Sequence, residues 1–307
     1  MMLPFPRFDW ERPSDVDAAV RALAQPGAMP VAGGTDLLPS VKHRLFAPTT
    51  LVSLSRLAEL RDVSVTPDGG LSLGAAVTLR EVSRLPVVRA RWGALAAACA
   101  TVGTPTIQAM GTLGGNLLLD TRCLYYNQPE GWRTSIGYCL KKDGTVCHVA
   151  PKGRGCYAVH SADTVPPLWL YGASVELAGP SGRRVLPVAE LYRDDGAAPL
   201  ALARGEVLTR VMLPPHPETV VARKSRSRAA IDYGWLLVAA RRDPEGWRAV
   251  VSAVGSRPVE VAAGDPEGLV EAAFKAALPL GTHVLPAHYR RKMVRIEVRR
   301  ALASLTG

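Results

Sequence analysis

Two glycine-rich segments decide the fold of this chain: residues 32–37 read Ala-Gly-Gly-Thr-Asp-Leu, and residues 111–117 read Gly-Thr-Leu-Gly-Gly-Asn-Leu. The first follows a short apolar segment typical of a strand and precedes a predicted helix that runs through Leu45. Glycine in such a turn lets the backbone approach a ligand closely, and free amides at a helix start favour a phosphate. A simple tight turn explains either segment alone, since neither matches the dinucleotide or P-loop patterns. Two such turns, each with a threonine, predict a pair of loops that hold a diphosphate from both sides.

Four of the five cysteines in the 307-residue chain follow the second glycine segment: Cys123, Cys139, Cys147 and Cys156. They lack a C-x-x-C pair, which a structural zinc site usually has because two ligands then share one turn. Disulfides are typical of small secreted chains, whereas this chain is long enough to bury a core without them. An iron–sulfur cluster tolerates long, irregular gaps. The spacing favours an iron–sulfur cluster over zinc, and both over disulfides; unrelated free thiols are the remaining interpretation.

The segment around these cysteines is basic and aromatic. Between residues 121 and 156 there are six lysine and arginine residues against two acidic ones. Positive charge lowers thiolate pKa values and offsets the negative charge of a thiolate-ligated cluster. An ordinary solvated loop would have the same charge, but the tyrosines and the tryptophan of this segment indicate packing rather than disorder. We therefore expect a folded segment around the thiols.

The composition is that of a globular protein, with 48% hydrophobic and 21% charged residues. The length predicts two domains, or one large domain with a smaller partner. No run of eighteen apolar residues occurs, so we expect no membrane span. The first six residues lack the basic and apolar regions of a signal peptide. We therefore expect a cytoplasmic protein, or one exported only with a partner that carries the signal.

The net charge of +10 raises the question of nucleic-acid binding. The charge is scattered, however, and none of the known zinc-finger or RNA-binding motifs occurs. In the densest basic run, residues 290–300, apolar residues recur at helical spacing beside a row of arginines. This pattern predicts a surface helix docked by its apolar stripe rather than a DNA-reading helix, although an acidic partner could also use it. A zinc-stapled basic module that docks on nucleic acid is the alternative from a different functional class.

The order of elements predicts two N-terminal α/β units. The first, about residues 1–55, begins with a helix whose capping box is predicted at residues 14–17. The second, about residues 56–176, contains a helix whose capping box is predicted at residues 78–81. An Ala-rich helix in which Cys99 is predicted to be buried comes next, followed by a cysteine-rich loop at residues 121–158.

From residue 177 the pattern changes to strands joined by Gly/Pro/Asp turns, followed by two helices. The chain thus reads as an α+β protein whose C-terminal domain, residues 177–307, has a mainly antiparallel sheet. The predicted strands are 173–178, 184–187, 207–213, 219–224, 236–240 and 247–254, and the first helix is 267–278.

The two glycine segments resemble the flavin-pyrophosphate loops of the FAD subunits of molybdenum hydroxylases, the xanthine dehydrogenase and carbon monoxide dehydrogenase group. The resemblance runs along nearly the whole chain, and its further motifs are Ser-Ala-Asp at 161–163, Lys224 followed by Arg226, Val-Gly-Ser-Arg-Pro at 254–258 and Tyr-Arg-Arg-Lys-Met at 289–293. It implies a two-part FAD-binding domain of the PCMH and CO dehydrogenase flavoprotein type at residues 1–176, and a CO dehydrogenase flavoprotein-like domain at residues 177–307.

The cysteine loop narrows the resemblance, because most FAD subunits of this group lack it. Its sequence is similar to the insertion of the 4-hydroxybenzoyl-CoA reductase β subunit, which carries a 4Fe-4S cluster. The matching motifs are Thr-Arg-Cys-Leu-Tyr-Tyr-Asn-Gln at 121–128, Gly-Tyr-Cys at 137–139, Cys-His at 147–148 and Cys-Tyr-Ala at 156–158. Some periplasmic aldehyde oxidoreductases have a similar insertion, so the loop leaves the substrate open.

The resemblance also implies which residues hold the cofactors. Asp163 and Lys224 would contact the flavin half of FAD, and Cys123, Cys139, Cys147 and Cys156 would ligate the cluster. The FAD diphosphate and ribityl chain would be held by Ala32, Gly33, Gly34, Thr35, Asp36, Leu37, Thr112, Gly114, Gly115 and Asn116. In one departure, relatives usually have Phe followed by Pro or Ala after the lysine, whereas this chain has Tyr-Gly-Trp at 233–235.

The implied function is that of an FAD and iron–sulfur electron-transfer subunit of a molybdenum oxidoreductase. The favoured interpretation is a 4-hydroxybenzoyl-CoA reductase-like complex, and the alternative is an aldehyde or xanthine dehydrogenase type. FAD suits such a junction because it exchanges electrons singly or in pairs. The family implies a molybdopterin-binding large subunit, a small subunit with two 2Fe-2S clusters, an external carrier such as ferredoxin and a dimer of heterotrimers. We expect no nucleic-acid or membrane partner. No triad, carboxylate pair or histidine metal spacing is apparent, so substrate chemistry is expected on another subunit.

Overall fold

The computed structural model describes residues 4–215 and 217–306, in which helices pack around three β-sheets. The strands are β1 (Asp9–Glu11), β2 (Ala28–Val31), β3 (Thr50–Ser53), β4 (Val63–Val65), β5 (Leu71–Gly74), β6 (Ser174–Gly179), β7 (Gly182–Pro187), β8 (Val207–Leu213), β9 (Val220–Ser225), β10 (Leu236–Asp243), β11 (Gly246–Ser252) and β12 (Val259–Ala263). The helices are α1 (Val16–Leu23), α2 (Leu37–Lys42), α3 (Leu79–Arg84), α4 (Pro86–Arg91), α5 (Gly93–Thr101), α6 (Pro105–Met110), α7 (Leu113–Leu117), α8 (Glu130–Ser135), α9 (Val165–Leu170), α10 (Pro266–Ala276) and α11 (Ala287–Thr306).

The N-terminal unit is a parallel three-stranded sheet in the order β1-β3-β2. Helix α1 covers it with a buried face that includes Val16, Val20 and Leu23. The capping box predicted at residues 14–17 does not form. The N-cap is Asp15, whose carboxylate accepts a 2.7 Å hydrogen bond from the amide of Ala18, and Ala18 has no side chain that could return a bond. Two short polar side chains in a row made the cap ambiguous from sequence.

The second unit contains an antiparallel sheet in the order β4-β5-β8-β6-β7. Its helix α3 begins with a reciprocal capping box between Thr78 and Glu81, which confirms the sequence prediction. Helix α5 packs into the core of this unit, where Trp92, Leu95 and Cys99 are fully buried, so the prediction for Cys99 is also confirmed. The sheet runs across residue 177, where sequence reasoning placed a domain boundary; the boundaries themselves remain a prediction.

The C-terminal sheet has the order β12-β11-β10-β9 with every pairing antiparallel, as predicted. Helix α11 lies on it through Val294 and Val298, which are fully buried. The neighbouring arginines face α10, where Arg295 pairs with Glu271 at 2.6 Å and Arg299 pairs with Glu267. The basic run is therefore a docked helix, and three of its arginines, Arg295, Arg299 and Arg300, are paired with glutamates of the chain. In the described residues no helix has both the length and the apolarity needed to cross a membrane.

A buried arginine joins three segments of the C-terminal domain. The guanidinium of Arg290, on α11, donates hydrogen bonds to the backbone carbonyls of Trp235 and Leu280, both at 3.2 Å, and to that of Ala253. It also lies 3.4 Å from the hydroxyl of Thr282. Burial lowers the pKa of Arg290 to about 10, so it still carries its charge at neutral pH. This side chain therefore satisfies carbonyl groups that have little access to water.

We expect Arg290→Met to lower the free energy of unfolding by about 3 kcal/mol or more, because each buried carbonyl left without a donor costs about 1–3 kcal/mol. Arg291→Met is the matched control, since its guanidinium packs over the ring of Phe274 on the helix surface. Urea unfolding followed by tryptophan fluorescence and circular dichroism measures both. Equal losses in the two variants would contradict the role given to Arg290.

Candidate cofactor sites

A cavity of about 390 Å³ opens between the two glycine segments. This volume is within the range of small-molecule sites, about 300–1,000 Å³. The structure brings to its wall every residue that the resemblance assigned to FAD: Ala32, Gly33, Gly34, Thr35, Asp36, Leu37, Thr112, Gly114, Gly115, Asn116, Asp163 and Lys224. Which part of the cofactor each residue contacts stays a prediction. We call this space the glycine-loop cavity.

The glycines of the two loops have different physical roles. A Cβ atom at Gly33 would overlap the backbone carbonyl of Met110, at the end of the helix that leads into the second loop. A Cβ atom at Gly114 would lie 2.7 Å from that of Ala75. At Gly115, by contrast, a Cβ atom would have only one side-chain oxygen within 4 Å. The first two glycines are therefore required by packing between protein segments, and Gly115 leaves open space at the cavity wall.

The second loop is held in place by hydrogen bonds within the protein. Thr112 caps α7 by accepting a 3.1 Å hydrogen bond from the amide of Gly115. The amide of Leu113 donates to the carbonyl of Val77 at 2.9 Å. The backbone at this wall is thus ordered by the protein itself, which lowers the entropy that a ligand would have to remove.

A buried ion pair lies at the opposite side of the cavity. The ammonium of Lys224, on β9, is 2.6 Å from the carboxylate of Asp163, and both side chains are almost fully buried. Burial raises the pKa of Asp163, and the charge of Lys224 opposes that change. The Lys224 ammonium also donates to the carbonyl of Thr101 at 3.1 Å. Nearby, Asn116 accepts a 2.7 Å hydrogen bond from the hydroxyl of Thr164, which fixes its side chain at the wall.

Three side chains meet at the rim of the glycine-loop cavity. The carboxylate of Asp36 accepts hydrogen bonds from the guanidinium of Arg122 at 3.1 Å and from the hydroxyl of Tyr233 at 3.0 Å. The Arg122 guanidinium also lies 3.7 Å from the centre of the Tyr233 ring. The departure from the family pattern at residues 233–235 thus places a tyrosine at the rim. The negative charge of Asp36 is paired by Arg122, so it does not oppose a bound diphosphate.

These observations fit FAD. Both glycine loops line the cavity. The carboxylates of Asp36 and Asp163 are paired with cations. Gly115 has no side chain that would fill the wall where a diphosphate would lie. A diphosphate next to backbone amides of glycine loops is a common way of holding dinucleotides in proteins.

The four cysteines of the insertion line a second, smaller cavity. None of the five cysteines forms a disulfide. Cys123 and Cys139 pack with Tyr126 against Leu45, which follows the helix of the first glycine segment. Cysteines that are up to 33 positions apart in the sequence (123 to 156) therefore converge on one point. We call this space the cysteine cavity.

Cys139 is buried, the other three cysteines of the cavity are partly buried, and the sulfurs of Cys123 and Cys156 each receive a backbone hydrogen bond. Burial raises the pKa of Cys123 to about 11, and the amide of Tyr125 opposes that change. Burial also raises the pKa of Cys156, which is opposed first by the amide of Ala158, 3.5 Å from the sulfur, and then by the charge of Lys141. Amide donors and a nearby cation are the groups that stabilise cluster-bound thiolates.

The side chains that could ligate a metal centre in the cysteine cavity include four thiols. Four thiolates are the usual ligands of an iron–sulfur cluster, in which each binds a separate iron. A structural zinc ion also accepts four thiolates. The donor set is therefore compatible with a cluster, and the sequence spacing remains the reason to favour it over zinc.

The insertion is folded onto both halves of the molecule. Arg133, on α8, is fully buried and donates to the carbonyl of His43 at 2.8 Å. On the other side the amide of Leu124 donates to the carbonyl of Thr282 at 2.9 Å. These contacts agree with the expectation, drawn from its aromatic residues, that the segment is packed.

Sequence reasoning did not single out Arg122, Asp120 or Lys141 as parts of a site. The sequence shows their charges but not their partners, because the contacts that give them a role join residues up to 111 positions apart (122 to 233). The only signal was position, because Arg122 directly precedes the first cysteine of the insertion and Asp120 follows the second glycine loop.

Comparison with known sequences identifies the family. The sequence family described as "FAD binding domain in molybdopterin dehydrogenase" matches residues 6–216. The aldehyde oxidoreductase FAD-binding subunit PaoB of Escherichia coli K12 is 32% identical over 272 residues, which cover 85% of each chain. The carbon monoxide dehydrogenase medium chain of Afipia carboxidovorans is 26% identical and covers 96% of this chain and 95% of its own.

Solved structures share the fold. A reconstituted CO dehydrogenase from Oligotropha carboxidovorans contains a chain that superposes with a TM-score of 0.78, at 23% identity, over 98% of both chains. A chain of quinoline 2-oxidoreductase from Pseudomonas putida 86 superposes with a TM-score of 0.76, at 22% identity, over 98% of this chain and 97% of its own. The predicted α+β fold of the CO dehydrogenase flavoprotein type is confirmed. The chain belongs to the FAD-binding medium subunits of the molybdenum hydroxylase family.

Proposed function

We propose that this chain is an electron-transfer subunit that carries both FAD and a 4Fe-4S cluster in a multi-subunit molybdenum oxidoreductase. Membership of the FAD-binding family supports the flavin. The observation that carries the cluster is the convergence of Cys123, Cys139, Cys147 and Cys156 on one cavity. The backbone amides beside two of these sulfurs and the partial burial of the four side chains support it.

The chemistry of the two groups defines the proposed role. FAD accepts or donates electrons singly or in pairs, and a 4Fe-4S cluster does so one at a time. The residues of this chain would bind and orient both, keep water away from the flavin and set the charge around each. Neither cavity offers a nucleophile–base pair, so the substrate would be converted on another subunit.

The proposed partners follow from the family. They are a large subunit that binds molybdopterin and a small subunit with two 2Fe-2S clusters, assembled as a dimer of heterotrimers. The relatives are named as an FAD-binding subunit and a medium chain, which supports a place in a larger complex. A cytoplasmic location is part of the same proposal.

An external one-electron carrier such as ferredoxin would dock on the insertion. Its outer surface carries Lys152 and Arg154, both exposed, together with the exposed side chains of Trp132 and Leu140. A basic surface attracts an acidic carrier and steers its approach. In this role the cluster is a relay between the carrier and FAD, rather than a staple that only holds a long insertion together.

Two substrate classes remain in the proposal. The motifs of the insertion support a 4-hydroxybenzoyl-CoA reductase-like complex. The 32% identity to an aldehyde oxidoreductase subunit over 85% of both chains supports an aldehyde-oxidising complex instead.

The glycine-loop cavity leads to a prediction for FAD. Gly115→Val should lower FAD affinity at least about tenfold, about 1.4 kcal/mol, because the added side chain occupies the cavity wall and its Cβ atom comes within 3.0 Å of the Thr112 hydroxyl that caps α7. Gly93→Val is the matched control, since its Cβ atom would point into open space at the start of α5. The measurement is flavin absorbance per chain, with the melting temperature as a check of folding. Full FAD occupancy in Gly115→Val would contradict the placement of the cofactor.

The cysteine cavity leads to a prediction for iron. Cys139→Ser and Cys147→Ser should each lose the cluster while FAD stays bound, because each removes one of four ligands. Cys99→Ala is the control, since this cysteine lies in the core of α5 and should leave iron and acid-labile sulfide unchanged. The relay role further predicts that electron exchange with the carrier collapses in the serine variants, whereas dithionite still reduces the other centres. Unchanged exchange in a cluster-free complex would leave only a structural role for the insertion.

The assembly and substrate are tested together on the complex purified from its native source. We expect the chain to co-purify with a molybdopterin subunit and a small iron–sulfur subunit. The complex is then assayed with aromatic and aliphatic aldehydes plus an electron acceptor, and with 4-hydroxybenzoyl-CoA plus a reduced low-potential donor. The active assay decides the substrate class, and a solitary chain that turned over either substrate would contradict the proposal.

A further inference from the structure

A buried lysine lies between the two cavities. The side chain of Lys141 is only 5% exposed, and its ammonium is 2.6 Å from the carboxylate of Asp120. The ammonium also donates to the carbonyl of Gly196 at 2.8 Å and to the hydroxyl of Thr121. On the other carboxylate oxygen, Asp120 accepts a 2.9 Å hydrogen bond from the hydroxyl of Tyr126. Both charges are therefore fixed in position by several contacts.

The two ends of this ion pair belong to different cavities. Lys141 lines the cysteine cavity, whereas Asp120 lines the glycine-loop cavity. The ammonium also lies 4.6 Å from the ring centre of Tyr126, which lines the cysteine cavity with it. The pair is thus an oriented dipole, with its positive end at the thiols and its negative end at the proposed flavin site.

We propose that the Lys141–Asp120 pair sets the relative reduction potentials of the two proposed centres, raising that of the cluster and lowering that of FAD. The inference rests on the proposed function, because it requires a cluster at the four cysteines. A cation beside a centre stabilises its reduced, more negative form, and an anion destabilises it. Water screens the charge of Lys141 little because its side chain is buried, whereas Asp120 is 24% exposed and its effect on FAD is screened more.

The sign of the bias has a functional meaning. The pair shifts the equilibrium so that an electron is favoured more in the cysteine cavity and less in the glycine-loop cavity. This shift suits a complex that withdraws electrons from its substrate and delivers them to an external acceptor.

A purely structural role for Lys141 makes a different prediction. Its hydrogen bonds to Thr121 and Gly196 join the start of the insertion to a distant loop. If Lys141 only held these segments together, its hydrogen bonds would matter and its charge would not. The reduction potential separates the two roles, because it responds to the charge and not to the shape of the loop.

The test compares Lys141→Met, Lys141→Arg and Lys142→Met in the purified complex. Lys142 is the matched control, since it is the next residue and pairs with Asp143 at 3.1 Å, but is 28% exposed. Anaerobic redox titration is followed by electron paramagnetic resonance for the cluster and by visible absorbance for FAD. In Lys141→Met the ratio of reduced to oxidised cluster at a fixed potential should fall about tenfold, which is about 59 mV for one electron. Lys141→Arg and Lys142→Met should stay close to the wild type.

Each remaining outcome decides the inference. A wild-type cluster potential in Lys141→Met overturns it, as does an equal shift in Lys142→Met. If Lys141→Met fails to load iron while Lys141→Arg loads it, the cysteines require the positive charge, which supports the inference. If both variants lose iron, the shape of the lysine matters rather than its charge, which contradicts the inference. Iron and sulfide analysis of the wild-type complex tests the proposed function separately, and a wild type without iron overturns both.

Discussion

The arrangement of this protein depends on one steric constraint: the two glycine segments touch through backbone atoms. The close approach at Gly33 leaves no room for a side chain against the Met110 carbonyl. Because the segments belong to different units, this contact fixes how the N-terminal parallel sheet sits against the second unit. The cavity between them is a consequence of that contact, and the walls of the candidate flavin site are therefore part of the packing of the fold.

The cysteine insertion packs on the outside of these units and is held by contacts with them. It leaves the second unit directly after the second glycine loop. Arg122 and Arg133 attach it to the two ends of α2, and Leu124 attaches it to Thr282 near the C-terminus. A long segment with a single short helix has few backbone contacts of its own, so side-chain and backbone bonds to the framework have to supply its order. The positions of the thiols are thus set by the rest of the fold as well as by the insertion.

Sequence reasoning predicted the parts of the fold that have local causes. The capping box at Thr78, the buried Cys99 and the strands of the C-terminal sheet were visible as short patterns, and the cavity residues were accessible through the resemblance of the glycine loops. The cap at Asp15 shows the limit of that reasoning, since neighbouring residues of similar chemistry competed.

Contacts between distant segments could not be predicted from local sequence patterns. The sheet that joins β5 to β8 crosses the boundary drawn from composition, because strand pairing depends on the whole chain and not on a local change of residue types. The Lys141–Asp120 pair was hidden for the same reason. A lysine in a basic run is ordinarily solvated, and only the fold shows that this one is enclosed while its neighbour Lys142 is not.

The side chain of Arg122 joins the start of the cysteine insertion to the rim of the glycine-loop cavity, since it pairs with Asp36 there and directly precedes Cys123 in the chain. Holding this guanidinium in one rotamer costs conformational entropy. Asp36 and the ring of Tyr233 already hold it within the protein. The entropy is therefore lost when the chain folds, and a ligand that arrives at the rim meets a side chain that is already in place.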